Sequence, residues 1–444
     1  MTPELMTLMM FVGILVGVFM GFPIAFTLSG LGVIFGFIGW GDTVISLLGS
    51  KGFAVMTNYT YVAIPLFVFM GCMLNSSGVA DQAFEVLAQW LRKVKGGLGI
   101  ATCILCIIFA ACTGVVGASV TTMGLLVLGP MISQGYKKSL ATGVVAAGGT
   151  LGILIPPSIM LVVFGPIAGI SVVQLFESAF APGILLGLAY ALYVILAGKF
   201  GKDMIPDPVP DEHYEKKYNI AQGLKCFVPF ILLILFVLGS IFFGIAAPTE
   251  AAGLGAFGSI IIAAFYKSLN WKNLKDAAIS TLQTSAMVMY VAFGANMFTG
   301  VFFGVGGKGV VAHTLASIGL GATGTLVLVL IIVFLLGMLI DWLGILLIVI
   351  PIFMPILTDF GFDPLWVSMV IIVLLQTSFL SPPFAYALFY VKGVSPEGVT
   401  IGDIYRGVVP FIAIQLVVLM ICIFVPDFVT FMPKLLAENA VAAG

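Results

Sequence analysis

Two pairs of short polar stretches carry the residues able to do chemistry in this chain. The first is Thr113-Gly114-Val115-Val116-Gly117-Ala118-Ser119-Val120-Thr121-Thr122, expected to face Gly148-Gly149-Thr150-Leu151-Gly152. The second is Gly337-Met338-Leu339-Ile340-Asp341, expected to face Gln376-Thr377-Ser378-Phe379-Leu380-Ser381. Each pairs hydroxyls with glycines, which let a backbone unwind and approach closely. Unwound carbonyls and hydroxyls are hard oxygen donors that suit Na+ better than a transition metal. The amide ends of interrupted helices attract anions. Sodium ligands are therefore expected at Ser119, Gly148, Gly149, Thr150, Gly337, Asp341, Thr377 and Ser378. Substrate contacts are expected at Thr113, Gly114, Thr121, Gly152, Pro156, Ser381 and Pro382.

Asp341 is the most informative single residue, because an ionisable group deep in an apolar segment is costly and reads as functional. Its alternative is a plain helix-capping carboxylate. Glu250 follows a proline in Ala247-Pro248-Thr249-Glu250 and reads as ordinary first-turn chemistry. Trp342 reads as packing. Neither tip nor break contains Lys or Arg, so an anionic substrate must lean on helix ends, hydroxyls and bound cations. Cys103 and Cys106 form a CxxC without further polar ligands, which suits small buried residues better than a metal site. No catalytic residue and no bound cofactor is expected beyond the coupling ion.

The elements that hold these stretches are set by composition. Of 444 residues, 61% are hydrophobic and 8% charged, and the formal net charge is −1. Soluble domains carry roughly 25% charged residues, so a soluble enzyme, a nucleic-acid binder and a disordered scaffold are excluded. The chain is an all-α polytopic membrane protein. The first basic residue is Lys51, so residues 1–20 read as a retained span rather than a cleaved signal.

Clear spanning runs cover 5–20, 23–40, 59–74, 176–198, 224–244, 248–266, 277–303 and 407–425. Stretches 139–169 and 364–391 are too long for one span, and each carries a double proline, Pro156-Pro157 and Pro382-Pro383. Proline removes a backbone donor and clashes with the preceding turn, so both should be discontinuous helices. Before each lies a segment, 98–133 or 323–358, with apolar arms of about 12–15 residues around a polar tip, below the ~20 needed to cross. These read as re-entrant hairpins; the alternative is a kinked span.

The features recur at a fixed interval: Pro156 with Pro382, Gly135 with Gly361, Tyr136 with Phe362, Leu154 with Leu380. The chain thus reads as two repeats, 1–200 and 224–444, joined by a polar linker at 201–223. Threading ten spans and two hairpins places every basic residue but Lys51, Lys308 and Lys434 on one face, which the positive-inside bias assigns to the cytoplasm. The first hairpin then enters from inside and the second from outside. The repeats are inverted, with about five spans each and both termini outside. Inverted repeats with broken helices put a substrate site near the midplane. Gln82, Gln89, Trp90, Arg92 and Lys93 read as an amphipathic interfacial arm before the first hairpin.

Taken together, Ala63-Ile64-Pro65-Leu66-Phe67, Gly148-Gly149-Thr150-Leu151-Gly152 with Ile155-Pro156-Pro157-Ser158, Pro248-Thr249-Glu250-Ala251-Ala252, Gly337-Met338-Leu339-Ile340-Asp341 and Pro382-Pro383 give the chain a family likeness. It resembles the large membrane subunit (M, DctM-like) of tripartite ATP-independent periplasmic (TRAP) transporters, over essentially its whole length. The resemblance implies an elevator-type carrier in the bacterial inner membrane, driven by sodium and importing organic acid anions. It also implies a small membrane partner (Q, DctQ-like), expected as a separate chain, and a soluble periplasmic binding protein (P, DctP-like). The first tip departs from the family's common Ser-Gly-Ser and Ala-Asp run, having Thr113 through Ser119 without an acid.

The alternative carrier is a self-sufficient sodium/dicarboxylate-type symporter that needs no binding protein. An aspartyl intramembrane protease needs a second carboxylate at the depth of Asp341, and a serine type needs a nearby base that neither His213 nor His313 provides. A passive channel leaves two inverted broken helices unexplained.

Overall fold

The computed structural model describes residues 1–201, 203–207, 219–383 and 385–443. Lys202 and residues 208–218, most of the expected linker with His213, lie outside the described residues, as does the side chain of Thr113. Every regular element among the described residues is helical.

The first half runs through α1 (Pro3–Phe19), α2 (Ile24–Trp40), α3 (Val44–Met56), α4 (Ala63–Ser76) and α5 (Val79–Trp90). It continues with α6 (Gly97–Thr113), α7 (Val116–Ser133), α8 (Lys138–Thr150), α9 (Ile159–Ala168) and α10 (Val172–Phe200). The second half holds α11 (Ile220–Phe242), α12 (Pro248–Phe265), α13 (Trp271–Gly304), α14 (Gly307–Ile318) and α15 (Gly321–Gly337). Then follow α16 (Trp342–Asp359), α17 (Pro364–Ser378), α18 (Tyr386–Val394), α19 (Ile401–Phe424) and α20 (Pro426–Ala443). Nine helices among the described residues are long and apolar enough to cross a membrane, or ten if the bent pair α14–α15, turning through 118°, is one span.

Local chemistry sets the boundaries. Thr2 caps α1 by accepting from the Leu5 amide, with Pro3 at the first helical position. The Glu250 carboxylate accepts from the Ala247 amide at 2.9 Å, so this acid closes the start of α12. Asp363 does the same for α17 through the Leu365 amide.

Both expected helix breaks are present. Chain 139–169 divides into α8 and α9 around a short 3-10 turn at Leu151–Ile153, and chain 364–391 into α17 and α18. Both Pro-Pro bonds are cis. In the first break the buried Ser158 hydroxyl donates to the Ile153 carbonyl, giving a freed backbone group a partner.

The hairpin arms differ from the expected length. The arms of the first are α6 and α7, of 17 and 18 residues, and those of the second are α15 and α16, again 17 and 18. The reason is local. The polar tip residues Gly117 to Thr122 stay inside α7, so only Gly114 and Val115 form the first turn, with Gly114 left-handed (φ 56°). A Cβ at Gly99 in α6 would lie 3.6 Å from Met131 near the end of α7, so the two arms fold back on each other and share a base.

Two groups of helices pack along one seam. The first contains α1–α4 and α11–α13, with α2 set closely on α13: a Cβ on Gly32 would lie 3.1 Å from the Phe298 amide nitrogen. The second contains α6–α10 and α15–α20, interlocked across the repeats, since α7 packs on α18 and α8 on α19. Arm α5 joins the groups by packing on α6 and α11, with Gln82 set against Cys226 and Trp90 against Phe227.

Candidate functional site

The stretches that were expected to face each other do so. A Cβ on Gly149 would stand 3.0 Å from Val120 Cα and 3.1 Å from its amide nitrogen, so the end of α8 rests on the backbone of the first hairpin. A Cβ on Gly337 would collide with Ser378 Oγ, so the end of α15 rests on the end of α17. In both places the missing side chain is what allows the contact.

A cavity of about 440 Å³ opens where the two halves meet. Its walls include Val116, Ile159, Trp342 and Tyr386. These are the first residues of α7, α9, α16 and α18. Four helix N-termini, whose first amides stand outside the intrahelical ladder and carry a partial positive charge, therefore converge on one space. Among the described residues no Lys or Arg lines it, and its one acid is Asp341. Asp341 stands at the N-terminal boundary of α16, half-buried and with extended backbone, within electrostatic reach of Tyr386.

The helix C-terminal ends lie behind this surface. Thr150 and Thr377 are fully buried at the ends of α8 and α17, and their hydroxyls donate to the carbonyls of Ala147 (2.8 Å) and Leu374 (2.7 Å). The protons are thus committed while the oxygen lone pairs stay available to a cation. Ser378 Oγ and both ends of the Gln376 amide are buried without a hydrogen-bond partner among the described residues. Buried polar atoms of this kind call for an ion or an ordered water, and three oxygens among Gln376, Thr377 and Ser378 fit Na+ in donor type.

Of the substrate residues expected from sequence, Gly114 lines the cavity. Gly148, Gly149, Thr150, Gly152, Pro156 and Ser119 are buried where α7 meets α8 and the first break, and Thr121 is half-buried on α7. Ser381 is buried in the second break, whereas Pro382 is exposed. The two breaks are therefore alike in sequence but not in surroundings, since Pro156 is wholly enclosed.

Sequence reasoning passed over the aromatic lining. Tyr386 and Tyr390 lie one turn apart on α18 and both face the cavity, and the Tyr390 ring covers Gly117 of the first tip, 2.8 Å from where its Cβ would be. Trp342, read as packing, is also a wall residue, as are Thr284 and Tyr290 of α13. The available signal was the i, i+4 tyrosine pair just after a double proline.

Spanning helices broken in pairs, with a cavity at their ends, define a membrane transport protein. The comparisons narrow the class. Residues 8–428 match the family described as the tripartite ATP-independent periplasmic transporter, DctM component, and the chain belongs to it. The C4-dicarboxylate TRAP transporter large permease protein DctM of Pseudomonas aeruginosa is 30% identical over 400 residues, 90% of this chain and 91% of that protein. The isethionate TRAP transporter permease protein DctMQ of Oleidesulfovibrio alaskensis is 30% identical over 91% of this chain and 63% of its own length. Among solved structures, the YdaH transporter of Alcanivorax borkumensis shares the fold, with a TM-score of 0.67 at 13% identity over 96% of this chain and 98% of that one.

Proposed function

We propose that this chain carries a small organic acid anion, a carboxylate or sulfonate, inward across the bacterial inner membrane in symport with sodium. The observation that carries the reading is the cavity walled by four helix N-termini and Asp341 without a fixed cation. Helix ends attract an anion, yet one carboxylate repels it until positive charge enters. Sodium held behind the wall, by the C-terminal ends of α8, α15 and α17, supplies that charge. Anion and sodium affinity are then reciprocally linked, as in any coupled binding. The two named relatives are specified for a dicarboxylate and for a sulfonate, both anions. Permeases of this family name imply a small membrane subunit and a periplasmic binding protein as partners. The carrier step is an elevator movement of the α6–α10 and α15–α20 group against the α2–α13 seam. The chain is built as two inverted repeats, 1–200 and 224–444, whose broken helices meet at the cavity.

Substituting valine for the hydroxyl residues tests the ion sites. Thr150→Val and Thr377→Val each delete one oxygen ligand at nearly constant volume. Sodium affinity should fall by roughly tenfold in each, about 1.5 kcal/mol for one contact to a charge, with expression unchanged. Sodium titrations of uptake that superimpose on wild type in both variants would remove these ligands from the site.

Orientation is tested separately. Single cysteines at Lys137 should be labelled from the cytoplasm only, and at Asp359 from outside only. The basic asymmetry motivates this expectation. Labelling of both from one side would discard the inverted arrangement.

A further inference from the structure

The seam that holds the central cavity continues into a second, more polar one. This space of about 250 Å³ is lined by Lys51, Asn58, Tyr61, Asn296 and Thr299, among others. Three helices relate the two. Along α13 the lining moves from Val291 to Thr299, along α9 from Ile159 to Pro166, and along α16 from Leu343 to Leu347. On α13 that is a step of about 12 Å at ~1.5 Å per residue. A third, outer groove of about 960 Å³ shares Ile167, Phe303 and Pro351 with the Lys51 space and reaches Asp359, Asp363 and Lys434. The three spaces follow one another along α9, α13 and α16, toward the end that the charge bias places outside.

The middle space has the donors of an anion site. The Lys51 ammonium makes no ion pair or hydrogen bond with the described residues. Its stem lies over Gly300, where a Cβ would come within 3.1 Å of Lys51 Cε, so the glycine makes room for it. Asn58 accepts the Thr60 amide through Oδ1, which leaves its NH2 free to donate. Tyr61 is 5% exposed, and its hydroxyl makes no hydrogen bond with the described residues. Among the described residues no Asp or Glu lines the space. A half-buried ammonium with two neutral donors and no carboxylate suits a carboxylate or sulfonate and disfavours a cation.

We infer that Lys51, Asn58 and Tyr61 form a second anion site, which receives the transported organic anion from the outer groove before the moving group takes it up at Asp341. It rests on the proposed anion transport and adds the one fixed cation that the central cavity lacks. A low-affinity stop of this kind receives the anion before sodium has prepared the inner site.

Two readouts test it in the full chain with its membrane partner. First, Asn296→Cys is modified with an anionic and with a cationic methanethiosulfonate reagent, and the site is quantified by mass spectrometry. The anionic reagent should be preferred, and Lys51→Gln should lower that preference about tenfold while Lys51→Arg keeps it. A preference unchanged by Lys51→Gln overturns the site. Secondly, uptake of succinate or isethionate, whichever the complex transports, should show a larger effect of Lys51→Gln on KM than on Vmax, with rescue by Lys51→Arg. A changed reagent preference with unchanged KM would leave the pocket off the route and overturn the assignment. If neither anion is transported, the transport reading fails, while the reagent ratio still judges the Lys51 site.

Discussion

Asp341→Asn should insert and accumulate like the native chain and lose sodium-stimulated uptake. The substitution keeps volume and one carbonyl oxygen at the start of α16 while removing the only acid among the described residues of the central cavity wall. At ~4 Å and an effective dielectric of about 20, an ion and a carboxylate attract by about 4 kcal/mol. A neutral amide forfeits most of this, so sodium affinity should fall on the order of 100-fold or more. If Asp341 only capped a helix, the amide would serve nearly as well, and transport would survive. Sodium-dependence curves for uptake, normalised to the amount of inserted protein, separate the two outcomes.

Adding one methyl group at the half-sites should be almost as damaging. Gly149→Ala drives a Cβ against the Val120 backbone, which cannot swing aside as a side-chain tip could. Gly337→Ala drives one into Ser378. Overpacking of this kind costs about 1–3 kcal/mol, and here it separates the helix ends that supply the carbonyls. Both variants should show a lower thermal midpoint in detergent and a tenfold or greater loss of sodium affinity. Gly129→Ala in α7, the helix that Gly149 packs against, is the control, because nothing stands within 4 Å of its Cβ position. Equal behaviour of Gly129→Ala and Gly149→Ala would show that close approach at the half-site is immaterial.

Much of this architecture was legible because membrane chains leave few options. Double prolines at 156–157 and 382–383 forced interruptions, and both interruptions are there. Glycines at 149 and 337 marked the close contacts for the same reason, a backbone that must approach another. The arms were misjudged because polarity was taken as a helix end, whereas Ser119, Thr121 and Thr122 remain in α7. Hydroxyls of helical Ser and Thr bond to their own preceding turn, as Thr150 does to Ala147, so they need not break a helix. The cavity walls were harder to see. Thr284 and Tyr290 sit in α13, an unbroken helix, and become lining residues only when it packs beside both hairpin tips. Lys51 was legible only as a charge on the sparse face. Its solitude in a donor-lined space depends on the meeting of α3, α9, α13 and α16.

Positive charge from sodium should be what admits the anion to a cavity made of helix N-termini. Proteoliposomes holding this chain and its small membrane partner, supplied with the loaded binding protein, test it by labelled-anion uptake. Sodium gradient, proton gradient and binding protein are varied independently. Uptake should need both sodium and the binding protein. If net charge enters with each turnover, it should also respond to membrane potential, by about 2.3 kcal/mol per charge at 100 mV. Added ATP should make no difference. Full uptake without sodium would contradict the claim, and full uptake without the binding protein as well would mark a self-sufficient carrier.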